Sequence, residues 1–301
     1  MELSFDTIIS KHSNEDCIIV GSGHTMNKFD YLNFKGQIIF CGSAILRLEN
    51  INPNYLISCN NHFPIINIKS HLNILNQYPA MTWIFSDTCA YGDIWDFNKK
   101  DFNQLKPNYI TFDDRHFGMK KCSPKKKCCT FLNIYKNRKN ITEIVEEKFE
   151  YKLTNKKLKS ITVAEKAFMV ALLMGFKNIY FQGIDLPTKK YQAKSYGKRY
   201  YGFENNKADL ILDECLNIVK KKYFYYHLLR FDFTPYLKSI FRKIKIFFFK
   251  NYSDFANDIF DSLYIFKWLS QIAYKNKINI FNLSPISNLN KIKEIKTISL
   301  K

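Results

Sequence analysis

The stretch SITVAEKAFMVALLMGFKNIYFQGIDL, Ser160 to Leu186, sets the expected fold class. Ala164, Ala167, Phe168, Ala171, Leu172 and Met174 recur at the spacing of one face of an amphipathic helix. Gly175 follows as the expected C-cap, because glycine enters the left-handed region with no Cβ clash. KNIYFQG, from Lys177, then reads as a strand buried on both faces, and the unit stops on Asp185. In open α/β sheets the carboxyl ends of the strands are where ligands bind. Asp185 is therefore a candidate ligand contact, with an ordinary turn aspartate as the competing reading.

The flanking sequence repeats the rhythm. DCIIVGSGHTM (Asp16 to Met26), GQIIFCGSAI (Gly36 to Ile45), INPNYLISCNNHF (Ile51 to Phe63), AMTWIFSDT (Ala80 to Thr88) and PNYITFDDRH (Pro107 to His116) each hold an apolar strand with a turn or polar end. A helix-length stretch, Ser70 to Gln77, lies between two of them. Near the end, Asp254 to Lys277 reads as a long helix with Phe260, Leu263, Tyr264, Phe266, Leu269 and Ile272 inward. INIFNLSPIS (Ile278 to Ser287) is a further strand ending in a Ser-Pro-x-Ser loop, and the tail then alternates Ile and Lys without an assigned element. Strands alternating with helices predict an α/β fold with a doubly wound, mostly parallel, Rossmann-like sheet.

Residues 187–253 break the rhythm. They are rich in Lys, Tyr and Phe and read as an inserted helical lid, leaving 1–186 as the main Rossmann-like domain and 254–301 as a helix and strand that complete it. YLKSIFRKIKIFFFK mixes bulky apolar and cationic residues, as an interfacial membrane helix would, and packing against the main domain is the alternative.

Lys and Arg number 46 against 27 Asp and Glu, a net charge of +19, which favours a polyanionic neighbour such as a phospholipid surface. Lys-, Asn- and Ile-rich composition from an AT-rich coding bias would give part of the same excess. No nucleic-acid-binding motif accompanies the charge, so no nucleic-acid partner is expected. The 8 cysteines are too scattered for a disulfide framework; only Cys122, Cys128 and Cys129 cluster, with His116 as the near candidate for a zinc ligand, and a basic loop is the simpler reading. No signal peptide and no apolar run of about 20 residues is present, so a cytoplasmic protein, peripheral at an inner membrane, is expected.

The glycine turn VGSGHTM (Val20 to Met26) could present backbone N–H groups to a phosphate at a helix N-terminus, but it lacks the third glycine of the dinucleotide fingerprint and the Lys of a Walker loop. No D-x-D occurs, which counts against a metal-clamped nucleoside diphosphate. H-E-x-x-H, G-x-S-x-G and paired C-x-x-C are absent too. A donor leaving as a nucleoside monophosphate would need no such clamp, because hydroxyls and backbone amides can stabilise one phosphate.

Three stretches together, IIVGSGHTMNKFDY, SITVAEKAFMVALLMGFKNIYFQGID and INIFNLSPISNL, resemble in order and spacing the bacterial sialyltransferases of glycosyltransferase family 42. CGSAILRLENINPNYLISCNNHF is similar to a run in the related domain-115 proteins, which include motility-accessory glycosyltransferases and pterin diphosphokinases. The resemblance implies a Rossmann-like, GT-A-like transferase fold that binds a CMP-activated acidic sugar. By the same resemblance, Gly21, Ser22 and Gly23 would line cytidine monophosphate, Asn60 or Asn61 would contact the nucleotide, and Thr162 would lie near the donor. Gly183 and Asp185 would hold ribose or cytosine, Ser284 to Ser287 would form the phosphate-side loop, and Tyr191 and Tyr196 would stabilise the departing phosphate.

The chain departs from that pattern at Ser22, His24 and Val163, and it has NYSDFAND where the family's general-base histidine should precede the last helix. An acceptor hydroxyl needs a base within hydrogen-bond reach. His227, His116 and Asp254 are the candidates, each with a structural reading beside it. The expectation is an inverting, metal- and cofactor-independent transferase moving sialic acid or a related nonulosonic acid from a CMP-sugar to a cell-surface glycan or glycolipid, as in lipooligosaccharide or capsule synthesis. A homo-oligomer is compatible with it. The alternatives are a pterin diphosphokinase-like enzyme and an inactive basic protein that docks to membrane or nucleic acid.

Overall fold

The computed structural model describes residues 1–23, 25–48, 50–58, 68–86, 102–112, 162–186, 210–211, 214, 217 and 254–298, without the side chains of 68, 86, 112, 254–261 and 264. Eight strands form one sheet: β1 (Asp16–Val20), β2 (Gln37–Cys41), β3 (Tyr55–Ser58), β4 (Thr82–Ser86), β5 (Asn108–Phe112), β6 (Asn178–Gln182), β7 (Asn279–Asn282) and β8 (Ile295–Thr297). Among the described residues, the helices that bear on it are α1 (Ile68–Leu75), α2 (Val163–Met174) and α3 (Asp254–Lys275).

The strand order is β5-β4-β3-β2-β1-β6-β7-β8, and all seven pairings are parallel. This is an open, doubly wound, Rossmann-like α/β sheet. The order runs outward from β1 to one edge, then returns to β1 and runs to the other, so its reversal falls between β1 and β6. Val20 lies opposite Gln182, which brings the carboxyl ends of these two strands level.

Residues alternate along each strand between two apolar layers. Cys17, Ile19, Ile39, Ile57, Ile84, Phe181 and Ile280 join one core with α2 and α3, whereas Ile18, Val20, Phe40, Leu56, Trp83 and Phe85 join the other, with Leu72 and Leu75 of α1. Short apolar runs without a polar face are what a parallel sheet covered on both sides requires.

α2 differs from the amphipathic helix expected. Every residue from Ala164 to Met174 is buried, including Glu165 (0% exposed) and Lys166 (1%). The sheet covers one side of α2 and α3 packs on it as well. Ser262 of α3 donates to Glu165 Oε1, while Glu165 Oε2 accepts from the Thr162 N–H at the helix start, 2.7 Å. Gly175 ends α2 as expected, at φ 86. The N-terminal segment then crosses the helix end: the N–H groups of Ser10 and His12 donate to the carbonyls of Leu173 and Met174 at 2.9 and 3.0 Å. Carbonyls that a helix terminus leaves open thus find partners in a segment far away in sequence.

The second difference is at the tail. The chain after Ser287 forms a 3-10 turn at Asn288–Lys291 and then β8, whose Ile295 pairs with Ile280 of β7. Ile292 and Ile295 are buried and Lys296 and Thr297 exposed, so this short strand closes the sheet with a charged edge. Of the insertion expected at 187–253, only 210, 211, 214 and 217 are described; each is helical, and its role as a lid or membrane contact falls outside the described residues.

Candidate functional site at the carboxyl edge of β1, β6 and β7

Gly21 to Gly23 follow β1, and Gly183 to Asp185 follow β6. The two loops continue the ladder for a further step: Gly21 N–H donates to Gln182 O and Gly23 N–H to Gly183 O, both at 2.8 Å. Two of the N–H groups expected to face a phosphate are therefore held by the neighbouring loop. Ser22 N–H finds no acceptor among the described residues. The turn also opens onto a three-residue 3-10 turn, Met26–Lys28, and not an α-helix.

Close approach explains the glycines. A Cβ at Gly21 would lie 2.4 Å from Gly183 O, and one at Gly23 would lie 2.5 Å from the same oxygen and 2.6 Å from Asp185 Oδ2. Gly183 has φ +66, and its Cβ would meet Gly21 O at 2.5 Å. The loops touch backbone to backbone, which only glycine permits.

Thr25 is the centre of the polar contacts. Its side chain donates to Asp185 Oδ1 at 2.6 Å, and its N–H donates to Asp185 Oδ2 at 3.1 Å. The Thr25 hydroxyl also contacts the Ser284 hydroxyl, and Gln182 Nε2 donates to the Thr25 carbonyl. Ser284 Oγ accepts in turn from Gly183 N–H at 3.3 Å. Thr25, Ser284 and Gln182 are buried, while Asp185 is half-buried. Nearby, the Tyr31 hydroxyl donates to Met26 O at 2.5 Å; burial, and then the Asp185 charge, push its pKa far above that of a free tyrosine.

The Ser-Pro-x-Ser loop closes the cluster from β7. Ser287 Oγ donates to Ile184 O at 2.7 Å and accepts from Leu289 N–H. Asn288 reaches Leu186 O at 2.7 Å. Asn282 holds the loop's base through Ser284 O (2.9 Å) and Asn290 Oδ1 (2.5 Å). The fold thus gathers Gly21, Ser22, Gly23, Gly183, Asp185, Ser284 and Ser287 at one edge of the sheet. Thr162 opens α2, whose direction against the strand that follows it puts this N-terminus at the same edge.

Asn60, Asn61, His116, Tyr191, Tyr196 and His227 lie outside the described residues, as do Cys122, Cys128 and Cys129. Asp254 is the first residue of α3, with its side chain likewise outside them. Sequence reasoning missed Thr25 and Gln182. A threonine two residues after a glycine turn carries no signal of its own until its partners 160 and 157 positions away are known.

What the arrangement offers is a carboxylate fixed at two oxygens from the protein side, over a glycine floor at the point where strand order reverses. In sheets of this kind that point is the ligand crevice. The class defined is thus a Rossmann-like α/β protein with a polar switch-point site. No family model and no curated protein matches the chain. Among solved structures it is similar to the sialyltransferase CstII from Campylobacter jejuni in complex with the substrate analogue cytidine-5'-monophosphate: 15% identity over 95% of this chain and 86% of that one, TM-score 0.50. It is also similar to the monofunctional alpha-2,3-sialyltransferase Cst-I from C. jejuni (15% identity, 93% of this chain and 79% of that one, TM-score 0.48). A MAf glycosyltransferase from Magnetospirillum magneticum AMB-1 matches at 15% identity over 96% of this chain and 34% of that one, TM-score 0.45. At such identities the likeness to CstII is one of fold.

Proposed function

We propose that this chain is a glycosyltransferase that takes sialic acid or a related nonulosonic acid from a CMP-sugar and passes it, with inversion and without a metal, to a surface glycan. The observation that carries the reading is the convergence of the G-S-G turn, the G-I-D segment and the S-P-x-S loop at the switch point between β1 and β6. These are the three segments whose sequence resembles the family 42 sialyltransferases, and the fold is like that of CstII, a structure that holds CMP. In this reading Asp185 accepts hydrogen bonds from the nucleoside, and the glycine floor lets the nucleotide approach the backbone. The acceptor's proton goes to a side-chain base, for which His227, His116 and Asp254 are the candidates. The basic, aromatic segment 187–253 would attract an anionic lipid-linked acceptor at a cytoplasmic membrane face. No described helix is long and apolar enough to cross a membrane.

The test is release of CMP from CMP-sialic acid in EDTA, with and without a lactose-type acceptor. Release that persists in EDTA and drops by about a hundredfold in Asp185→Ala supports the reading, the loss being that of a charged hydrogen-bonding group. Wild-type protein that neither releases nor binds CMP overturns it.

A further inference from the structure

We infer that Thr25 is a positioning residue for the nucleotide site, acting through Asp185; the inference rests on the CMP-sugar reading above. A strand-end carboxylate on a loop would ordinarily be free to rotate about χ1 and χ2. Here both oxygens are fixed by one residue: Oδ1 by the Thr25 hydroxyl at 2.6 Å and Oδ2 by the Thr25 N–H at 3.1 Å. The donors come from the buried side, since Thr25 is 1% exposed and Asp185 half-buried. A carboxylate has about four lone-pair sites, so acceptor capacity remains for a ligand.

Thr25 is itself immobilised. Gln182 at the end of β6 donates to its carbonyl, and the Ser284 hydroxyl beyond β7 meets its hydroxyl. A hydroxyl has one proton. With that proton committed to Asp185, the Thr25 oxygen is left to accept from Ser284, and the Ser284 oxygen accepts from Gly183 N–H. The chain Gly183 N–H to Ser284 to Thr25 to Asp185 therefore runs in one direction and ends on the carboxylate. It joins the loops after β1, β6 and β7, so the carboxylate's orientation is set by all three strands that meet at the switch point. Valine in place of Thr25 keeps the shape, removes the donor to Oδ1 and strands the Ser284 hydroxyl; serine keeps the chain. The arrangement is a supporting shell that fixes a ligand-contacting group before the ligand arrives.

The experiment is a double-mutant cycle read by calorimetric CMP affinity, with melting temperature recorded for each variant. Expected are a roughly tenfold weaker Kd in Thr25→Val, recovery to within about threefold in Thr25→Ser, and no further loss when Thr25→Val is added to Asp185→Ala. A merely structural threonine would weaken Asp185→Ala further, and that additivity would overturn the inference, as would an unchanged Kd in Thr25→Val. If Thr25→Val does not fold, Thr25→Ala takes its place in the same cycle. Absence of CMP binding by the wild-type protein overturns the CMP-sugar reading and this inference with it, whereas failure of the cycle alone leaves that reading standing.

Discussion

The two edges of the sheet use similar polar side chains in different ways. At the amino edge the contacts run from strand to strand: Asn178 donates to Asp16 at 2.7 Å and Asn279 to Asn178 at 2.9 Å, linking the first residues of β1, β6 and β7. Beside them His12 Nε2 meets the Tyr55 hydroxyl at 2.6 Å, Nδ1 lies 3.1 Å from Glu15, and the ring stacks on Phe176. Gln37 also donates to Glu15, and His12 first, then Gln37, hold that carboxyl below its usual range. At the carboxyl edge the contacts run between loops, over glycines, and converge on the half-buried Asp185. The same three strands are thus registered at one end and left at the other with an oriented acceptor. The amino edge serves stability, and the carboxyl edge combines stability with the candidate site.

Gly183→Ala is the largest expected break in this contrast. Its φ of +66 and the 2.5 Å approach to Gly21 O should make it cost about 3 kcal/mol or more and abolish CMP binding along with the loop contact. Thermal denaturation together with CMP titration checks it; a well-folded variant that still binds would show that the loops need not touch.

Tyr55 gives the amino edge a pH signature. Burial, and then the Glu15 charge, raise its hydroxyl from 10.0 to about 12. A group with a raised folded pKa contributes stability that is complete below its unfolded value and is lost as pH rises through the folded one. Denaturant stability should therefore fall between about pH 10 and 12, and Tyr55→Phe should remove about 2 to 3 kcal/mol of that fall. Tyr31, raised further still, keeps a residual slope in the variant. An unaltered slope would place the titration elsewhere.

The smallest expected effect sharpens the contrast. Asn178→Ala cuts the polar chain between β1 and β7 and should lower stability by about 1 to 2 kcal/mol with CMP affinity unchanged. A changed affinity would mean that register at the amino edge propagates to the far edge.

Much of the fold was legible from local physics. Helical spacing, Gly175 and the apolar run after it give α2, its cap and β6 because each depends on residues a few positions apart. The strands at 16–20, 37–41, 55–58, 82–86 and 108–112 also fall within the apolar stretches read as such. β8 was not legible, since Ile-Lys alternation becomes a strand only when β7 offers it an edge. Nor was the all-round burial of Glu165 and Lys166, which depends on α3 packing on a helix nearly a hundred positions earlier.

By itself, then, the sequence determined the element types, the class of sheet and the candidacy of Asp185, because hydrophobic period and glycine conformation act over short distances. Only the tertiary structure decided what Asp185 touches. Parallel pairing levels Val20 with Gln182, and that register presses two glycine loops together and brings Thr25 to a carboxylate 160 residues away. Contacts of that range follow from strand order, which no local pattern encodes.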